Sequence, residues 1–143
     1  MTLSPYDTDN STCSYTHVWL RVMHDTRDPS EVSRVLGLEP TSSHVVGSRV
    51  SERSERVRRS SGWFLESSGN VESRDVRHHL DWLLNRVVGK ERAFAELRCL
   101  DFQLDVCCRW DSKSGHGGPT LYPEQMTVLG RLGVELWFDI YFD

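Results

Sequence analysis

The sequence predicts an α+β fold: a two-layer sandwich in which a mostly antiparallel sheet of about five strands carries helices on one face. Two observations carry that expectation. Three segments, near the start, in the third quarter and at the end, alternate apolar and polar residues with period two, as strands with one buried face do. Between them lie segments whose apolar residues recur three and four apart, the spacing of one face of a helix. With 143 residues, a compact chain removes roughly two thirds of its unfolded surface from water, so one core suffices without disulfide or metal staples. The expected organisation is a disordered N-terminal tail over residues 1–13 and a single α+β domain over residues 14–143.

The first strand is Tyr15-Thr-His-Val-Trp-Leu-Arg-Val-Met23. Its alternation sets Thr16, Val18, Leu20 and Val22 on one face and Tyr15, His17, Trp19 and Arg21 on the other. A helix follows, with Asp28 as N-cap, Pro29 at the first position, Glu31 completing a capping-box-like arrangement and Gly37 as a left-handed stop. Its inward stripe is Val32, Val35 and Leu36. The chain turns at Glu39-Pro40, passes His44-Val-Val46 and a polar segment from Ser48 to Ser61, and enters a strand at Gly62–Glu66. Periodicity predicts no structure for residues 44–61.

The second helix is marked by Val76, Leu80, Leu83, Leu84 and Val87, with Gly89 as its stop. A helical turn over Glu91–Leu97 carries Phe94 and Leu97. Period two returns in Phe102, Leu104, Val106, Cys108 and Trp110, which marks a central strand. Beyond the glycine-rich loop Ser112–Thr120, Pro123 opens a third helix with Met126, Leu129 and Leu132 inward and Gly133 at its end. In the last strand Val134, Leu136, Phe138, Ile140 and Phe142 face inward, and Glu135, Trp137, Asp139, Tyr141 and Asp143 face outward. The order is β-α-β-β-α-β-α-β, which a ferredoxin-like elaboration accommodates.

Several of these pieces together resemble a known family. The strand Tyr15–Met23 leads to Asp28-Pro-Ser-Glu-Val and Leu36-Gly-Leu-Glu-Pro-Thr41. Gly47, Gly62-Trp-Phe-Leu65 and His79-Leu-Asp-Trp-Leu-Leu84 follow, and Leu132-Gly-Val-Glu-Leu-Trp-Phe-Asp-Ile-Tyr141 closes the chain. This series resembles the bacterial domain-of-unknown-function family 4279 over nearly all of the chain after about Ser14. The resemblance implies a small bacterial α+β domain and supplies no catalytic set. The arginine-rich segment Arg49–Arg59 matches no part of the pattern.

Composition narrows function by exclusion. The chain is 38% hydrophobic and 27% charged, with a formal net charge of −4. Its sequence pI near 5.8 lies far below the ~9 of a dedicated nucleic-acid domain, and no apolar run approaches the ~18 residues of a membrane span. Neither a nucleic-acid nor a membrane partner is expected. The N-terminus lacks the apolar stretch of a signal peptide, and Cys13, Cys99, Cys107 and Cys108 form no disulfide framework, so the expected compartment is the cytoplasm.

Candidate sites divide into weak clusters and one extended surface. Arg49, Arg53, Arg56, Arg58 and Arg59 stand against Glu52 and Glu55, a local charge of +3 that could grip phosphate or an acidic partner. The competing reading is a solvated hairpin or loop whose charges pair with each other. His78 and His79 lie beside Asp75 and Asp81, and Asp75 with His79 has the i, i+4 spacing of two ligands, yet no His-Glu-x-x-His is present. Cys107 and Cys108 lack a Cys-x-x-Cys partner, and the loop Gly115-His-Gly-Gly-Pro119 lacks a phosphate-binding pattern. No catalytic residue, cofactor or metal is expected.

The more informative feature is the face opposite the apolar alternation. It collects Tyr15, His17, Trp19, Arg21, Gln103, Asp105, Cys107, Arg109, Asp111, Glu135, Trp137, Asp139, Tyr141 and Asp143, large aromatics among acids, with two arginines against five carboxylates. Tryptophan and tyrosine are the usual anchors of protein interfaces, and net negative charge disfavours phosphate backbones. The expected function is a non-enzymatic protein-binding or interaction module whose partner is a basic protein or a second copy. One form is an immunity-type protein that neutralises its partner. The alternative is a small-molecule or metal-binding domain with hydrolytic activity, built from His78, His79 and the arginine segment around a pocket.

Overall fold

A computed structural model describes residues 5–142. The elements run β1 (Cys13–His24), α1 (Ser30–Leu36), β2 (Ser42–His44), β3 (Ser61–Glu66), α2 (Val76–Val87), α3 (Glu91–Cys99), β4 (Gln103–Ser112), α4 (Pro123–Leu132) and β5 (Glu135–Phe142). The sheet order is β2-β3-β1-β4-β5. Three neighbouring pairs are antiparallel and β4–β5 is parallel, so the sheet is mixed and mostly antiparallel, as expected. Since β3 and β4 are both antiparallel to β1, they run parallel to each other with β1 between them. The run β3-α2-α3-β4 is therefore a split β-α-β unit, and the ferredoxin-like relation is confined to it. A crossover through α4 then places β5 beside β4.

The two alternating patterns pack as the sequence dictates. Thr16, Val18, Leu20 and Val22 of β1 and Val106, Cys108 and Trp110 of β4 are buried against Val76, Leu80, Leu83, Leu84 and Val87 of α2. Trp63 of β3 is fully buried, and its Nε1 donates to Ser33 Oγ of α1 at 3.0 Å. The expected turn at Glu91–Leu97 is a full helix, α3, whose Phe94 and Leu97 complete the core. Lys90 fastens the start of α3 to the end of α1 by donating from Nζ to Leu36 O at 2.8 Å. Ahead of α1 (Ser30–Leu36), Asp28 Oδ1 accepts the Ser30 amide at 2.8 Å, but the N-cap is Pro29, one position after the expected Asp28.

Three expectations change. Met126 of α4 is exposed, and Gln125 is buried in its place. All of Gln125's amide is used: Nε2 donates to Arg77 O at 2.9 Å and Asp81 Oδ1 at 2.8 Å, and Oε1 accepts the Tyr122 amide at 2.8 Å. A fully satisfied amide can be buried, and Gln125 completes an i, i+4, i+7 stripe with Leu129 and Leu132, which are buried as expected. On β5, Phe138, Ile140 and Phe142 are not core residues; they are 45%, 38% and 72% exposed. The cause is topology: β5 is the edge strand, and α4 packs on α2 and α3.

The third change concerns the N-terminal segment read as a tail. Residues 1–4 lie outside the described residues, but Tyr6, Asp7 and Thr8 are fastened to α2 and the segment before it, and Cys13 already opens β1. Tyr6 stacks on His78 with ring centres 4.2 Å apart and donates to Asp81 Oδ2 at 2.5 Å. The Asp7 amide donates to Asp75 Oδ2 at 2.7 Å, and Thr8 O accepts the Arg74 amide at 2.9 Å. Among the described residues, no helix is long and apolar enough to cross a membrane.

Candidate interaction face

Strand register builds the open face row by row. Across β1, β4 and β5 one row holds Arg21, Asp105 and Glu135; the next Trp19, Cys107 and Trp137; the third His17, Arg109 and Asp139; the fourth Tyr15, Asp111 and Tyr141. The expected face residues on these strands thus lie together on the side away from the helices, while Asp143 lies outside the described residues. β3 adds two residues that the sequence reading omitted, Phe64 beside Arg21 and Glu66 beside Trp19. Their signal was present in the alternation of Gly62–Glu66: Trp63 and Leu65 are buried, which turns Phe64 and Glu66 outward.

Two arginines organise the rows. Arg21 grips Asp105 through two parallel bonds, Nε to Oδ1 at 2.7 Å and Nη2 to Oδ2 at 2.8 Å. Arg109 donates to the Asp111 carboxylate at 3.0 and 3.2 Å. Its guanidinium also lies 4.5 Å from the Tyr141 ring centre and 5.6 Å from that of Tyr15, so this one cation draws rings from β1 and β5 toward β4. On β5, Trp137 Nε1 donates to Glu135 Oε2 at 2.9 Å and Tyr141 OH to Asp139 Oδ2 at 3.1 Å. That hydrogen bond and the Asp139 charge raise the Tyr141 pKa and keep its hydroxyl a donor.

Both arginines are consumed by Asp105 and Asp111. Glu66, Glu135 and Asp139 form no ion pair among the described residues. Beside them Trp137, Tyr141 and Tyr15 are 54%, 45% and 40% exposed. The face thus offers held aromatic rings and three carboxylates without a counter-cation. Its two titratable candidates for chemistry are quenched. Cys107, between Trp19 and Trp137, is buried, and burial pushes its thiol up, away from thiolate formation. His17 sits between the Tyr15 and Trp19 rings, 5.3 and 4.8 Å away. Burial, then the repulsion of His79 and Arg109, lowers its pKa and favours the neutral imidazole.

The histidine pair on α2 is divided between two structural tasks. His79 is buried, with Nε2 2.8 Å from Ser73 O and Nδ1 2.6 Å from Ser67 Oγ. A carbonyl only accepts, so Nε2 carries the hydrogen, Nδ1 accepts from the Ser67 hydroxyl, and Ser67 Oγ accepts the Val18 amide at 3.0 Å. A serine this close to a histidine is also how a nucleophile meets its base. Here Ser67 is fully buried and the third group is a carbonyl rather than a carboxylate. Asp75 caps α2 through the Arg77 amide at 3.0 Å and is clasped by Arg77 Nη2 at 2.7 Å. Asp75 and His79, the i, i+4 pair, therefore serve different partners. Among the described residues, no group of three or more His, Cys, Asp or Glu side chains is placed to hold a metal ion.

The arginine segment is a hairpin arm between β2 and β3. Gly47 N donates to Arg58 O, Arg58 N to Ser48 O and Val50 N to Arg56 O, at 2.9, 2.7 and 2.9 Å. Arg49 clasps the arm's own turn by donating to Ser54 O and Glu52 O at 3.0 and 2.9 Å. Among the described residues none of the five arginines forms an ion pair with Glu52 or Glu55. Of the hairpin and the loop left open for this segment, the structure has the hairpin, and its charges do not pair with each other. Arg56, Arg58 and Arg59 line a cleft of about 640 Å³ with His44 and Met23; His78 and His79 lie elsewhere and do not share it.

Fold and face together define a two-layer α+β domain whose mixed sheet is open on one side. Within that class, the chain belongs to the family described as domain of unknown function (DUF4279), whose family model matches residues 13–143. No curated protein and no solved structure matches the chain.

Proposed function

We propose that the chain is a non-enzymatic protein-binding module of the bacterial cytoplasm, and that its open sheet face takes up a basic protein partner. One observation carries this reading: exposed Trp137, Tyr141 and Tyr15 stand beside Glu66, Glu135 and Asp139, carboxylates with no ion-pair partner among the described residues. Aromatic anchors supply most of the binding energy of protein interfaces, and unpaired surface charge of one sign steers a partner of the other. The Arg21–Asp105 and Arg109–Asp111 pairs hold the rings and strands in place before a partner arrives, which lowers the cost of ordering them. Neutralisation of a basic toxin, an immunity-type role, is the form of binding such a preset acidic face suits.

Co-purification from native cells tests this. The tagged chain should bring down a stoichiometric basic protein whose capture weakens as salt is raised. Tyr15→Ala and Asp139→Asn should each reduce capture tenfold or more while leaving the circular dichroism spectrum unchanged. Undiminished capture by both variants, or a partner indifferent to salt, contradicts the reading.

A further inference from the structure

The two edges of the sheet are finished differently. At one edge β2 is three residues long and reads Ser-Ser-His, a short polar strand of the kind that blunts pairing with other chains. At the other, β5 runs eight residues, Glu135-Leu-Trp-Phe-Asp-Ile-Tyr-Phe142, with no lysine, proline or glycine. Its register with β4 is unbroken from Asp105–Glu135 to Ser112–Phe142, so no bulge twists it away. β5 pairs on one side only, and its free side presents backbone N–H and C=O groups. Exposed apolar side chains stand on both of its faces: Trp137 and Tyr141, beside Glu135 and Asp139, on one, and Phe138, Ile140 and Phe142 on the other. Of the devices that protect a natural sheet edge, β5 carries two carboxylates, Glu135 and Asp139, but no lysine, no proline and no bulge, and it is not short.

We propose that β5 pairs antiparallel with β5 of a second copy, about a twofold axis normal to the sheet at Phe138, joining two five-stranded sheets into one. A twofold contact is isologous, so the strand must complement itself. An axis normal to the sheet opposes residues of like face, and the two registers that pair seven of the eight strand residues put Phe138 or Asp139 on it; the registers on Trp137 or Ile140 pair only five. With Asp139 there, Asp139 opposes itself. Like charges directly opposite are destabilising. With Phe138 on the axis no charges of one sign are opposed. Phe138 meets Phe138, and the half-buried Leu136 meets Ile140 on the face toward the helices. On the open face Trp137 meets Asp139 and Tyr141 meets Glu135. Those pairings repeat across the axis the donor and acceptor types that each strand already joins within itself, Trp137 with Glu135 and Tyr141 with Asp139. The axis also keeps both open faces on the same side, so the dimer doubles the aromatic and acidic surface. The pairing rests on the strand edge and the Phe138 row, and it stands whether or not the open face has a basic partner.

Sedimentation equilibrium on the full chain tests it. The wild type should show twice the 16.5 kDa monomer mass at tens of micromolar. Phe138→Lys and Phe142→Lys, which add lysine to the edge without altering the open face, should each halve the mass with the circular dichroism spectrum retained. Register is read by oxidation in a Cys99→Ser background, which removes the exposed native thiol. Phe138→Cys should form an intermolecular disulfide faster than Asp139→Cys, which this register leaves diagonal to its mate at about 7–8 Å. A monomeric wild type overturns the proposal, as does a folded Phe142→Lys protein that stays dimeric. Faster crosslinking at position 139 overturns the register.

Discussion

His79 is a residue whose sequence context reads as a ligand and whose surroundings make it a strut. It joins the start of α2 to the end of β3 through Ser73 O and Ser67 Oγ, and through Ser67 to the Val18 amide of β1. Burial lowers its pKa, aided by the neighbouring His78, against the opposing pull of the Ser73 carbonyl. An imidazole in the unfolded chain takes a proton near pH 6.5; in the fold His79 and His17 do so only at lower pH. Protonation therefore favours the unfolded chain, and the stability these residues contribute is whole above about pH 6.5 and declines as pH falls toward their folded values. Asp75 adds a lower limb. Burial pushes its carboxyl up, but Arg77 and the Asp7 and Arg77 amides outweigh burial and hold it below 3.8. Its contribution is lost as pH falls from there through the folded value. The melting temperature should thus fall between about pH 7 and about pH 5 and fall again below about pH 4. His79→Leu should flatten part of the first decline, at a cost of roughly 1–3 kcal/mol for the stranded Ser67 and Ser73 groups. A wild-type melting temperature flat from pH 7 to pH 5 contradicts this assignment.

At the scale of elements, β3 and α1 are joined by Trp63, fully buried with its indole N–H on Ser33. Trp63→Ala should cost about 3–5 kcal/mol in a urea titration; a loss under about 1 kcal/mol would show that this joint is not part of the core. β1, α2 and β4 were legible because period two and the helical stripe each have one buried side. On α4, Leu129 and Leu132 are inward as their spacing predicts, but Gln125 takes the place expected of Met126, because no apolar pattern shows that it finds three hydrogen-bond partners from two other residues and its own N-cap. β5 was misread for a different reason. Its alternation is apolar enough for a core strand, but alternation does not say whether a helix covers the strand, and topology leaves it at the edge. The arm at residues 45–60 was silent because backbone bonds and the Arg49 clasp hold it, not a patterned apolar face. The open face was the most legible part of the candidate site, since alternation on β1, β4 and β5 is enough to collect it. What alternation lacked was the pairing within it, which decides that Arg21 and Arg109 are spent and the carboxylates of Glu66, Glu135 and Asp139 are not.

The whole molecule is polarised more than its net charge of −4 conveys. The arm carries five arginines against Glu52 and Glu55, while the open face sets Glu66, Asp105, Asp111, Glu135 and Asp139 against Arg21 and Arg109. For the basic partner proposed above, this contrast favours approach to the open face over the arm, an effect that salt weakens. The central claim is that the open face is where binding happens, and carboxyl footprinting of the captured complex with a water-soluble carbodiimide tests it most directly. The account predicts that Glu66, Glu135 and Asp139 lose their labelling in the complex while Glu52 and Glu55 keep theirs; protection confined to the arm or to the acids of the helices would contradict it.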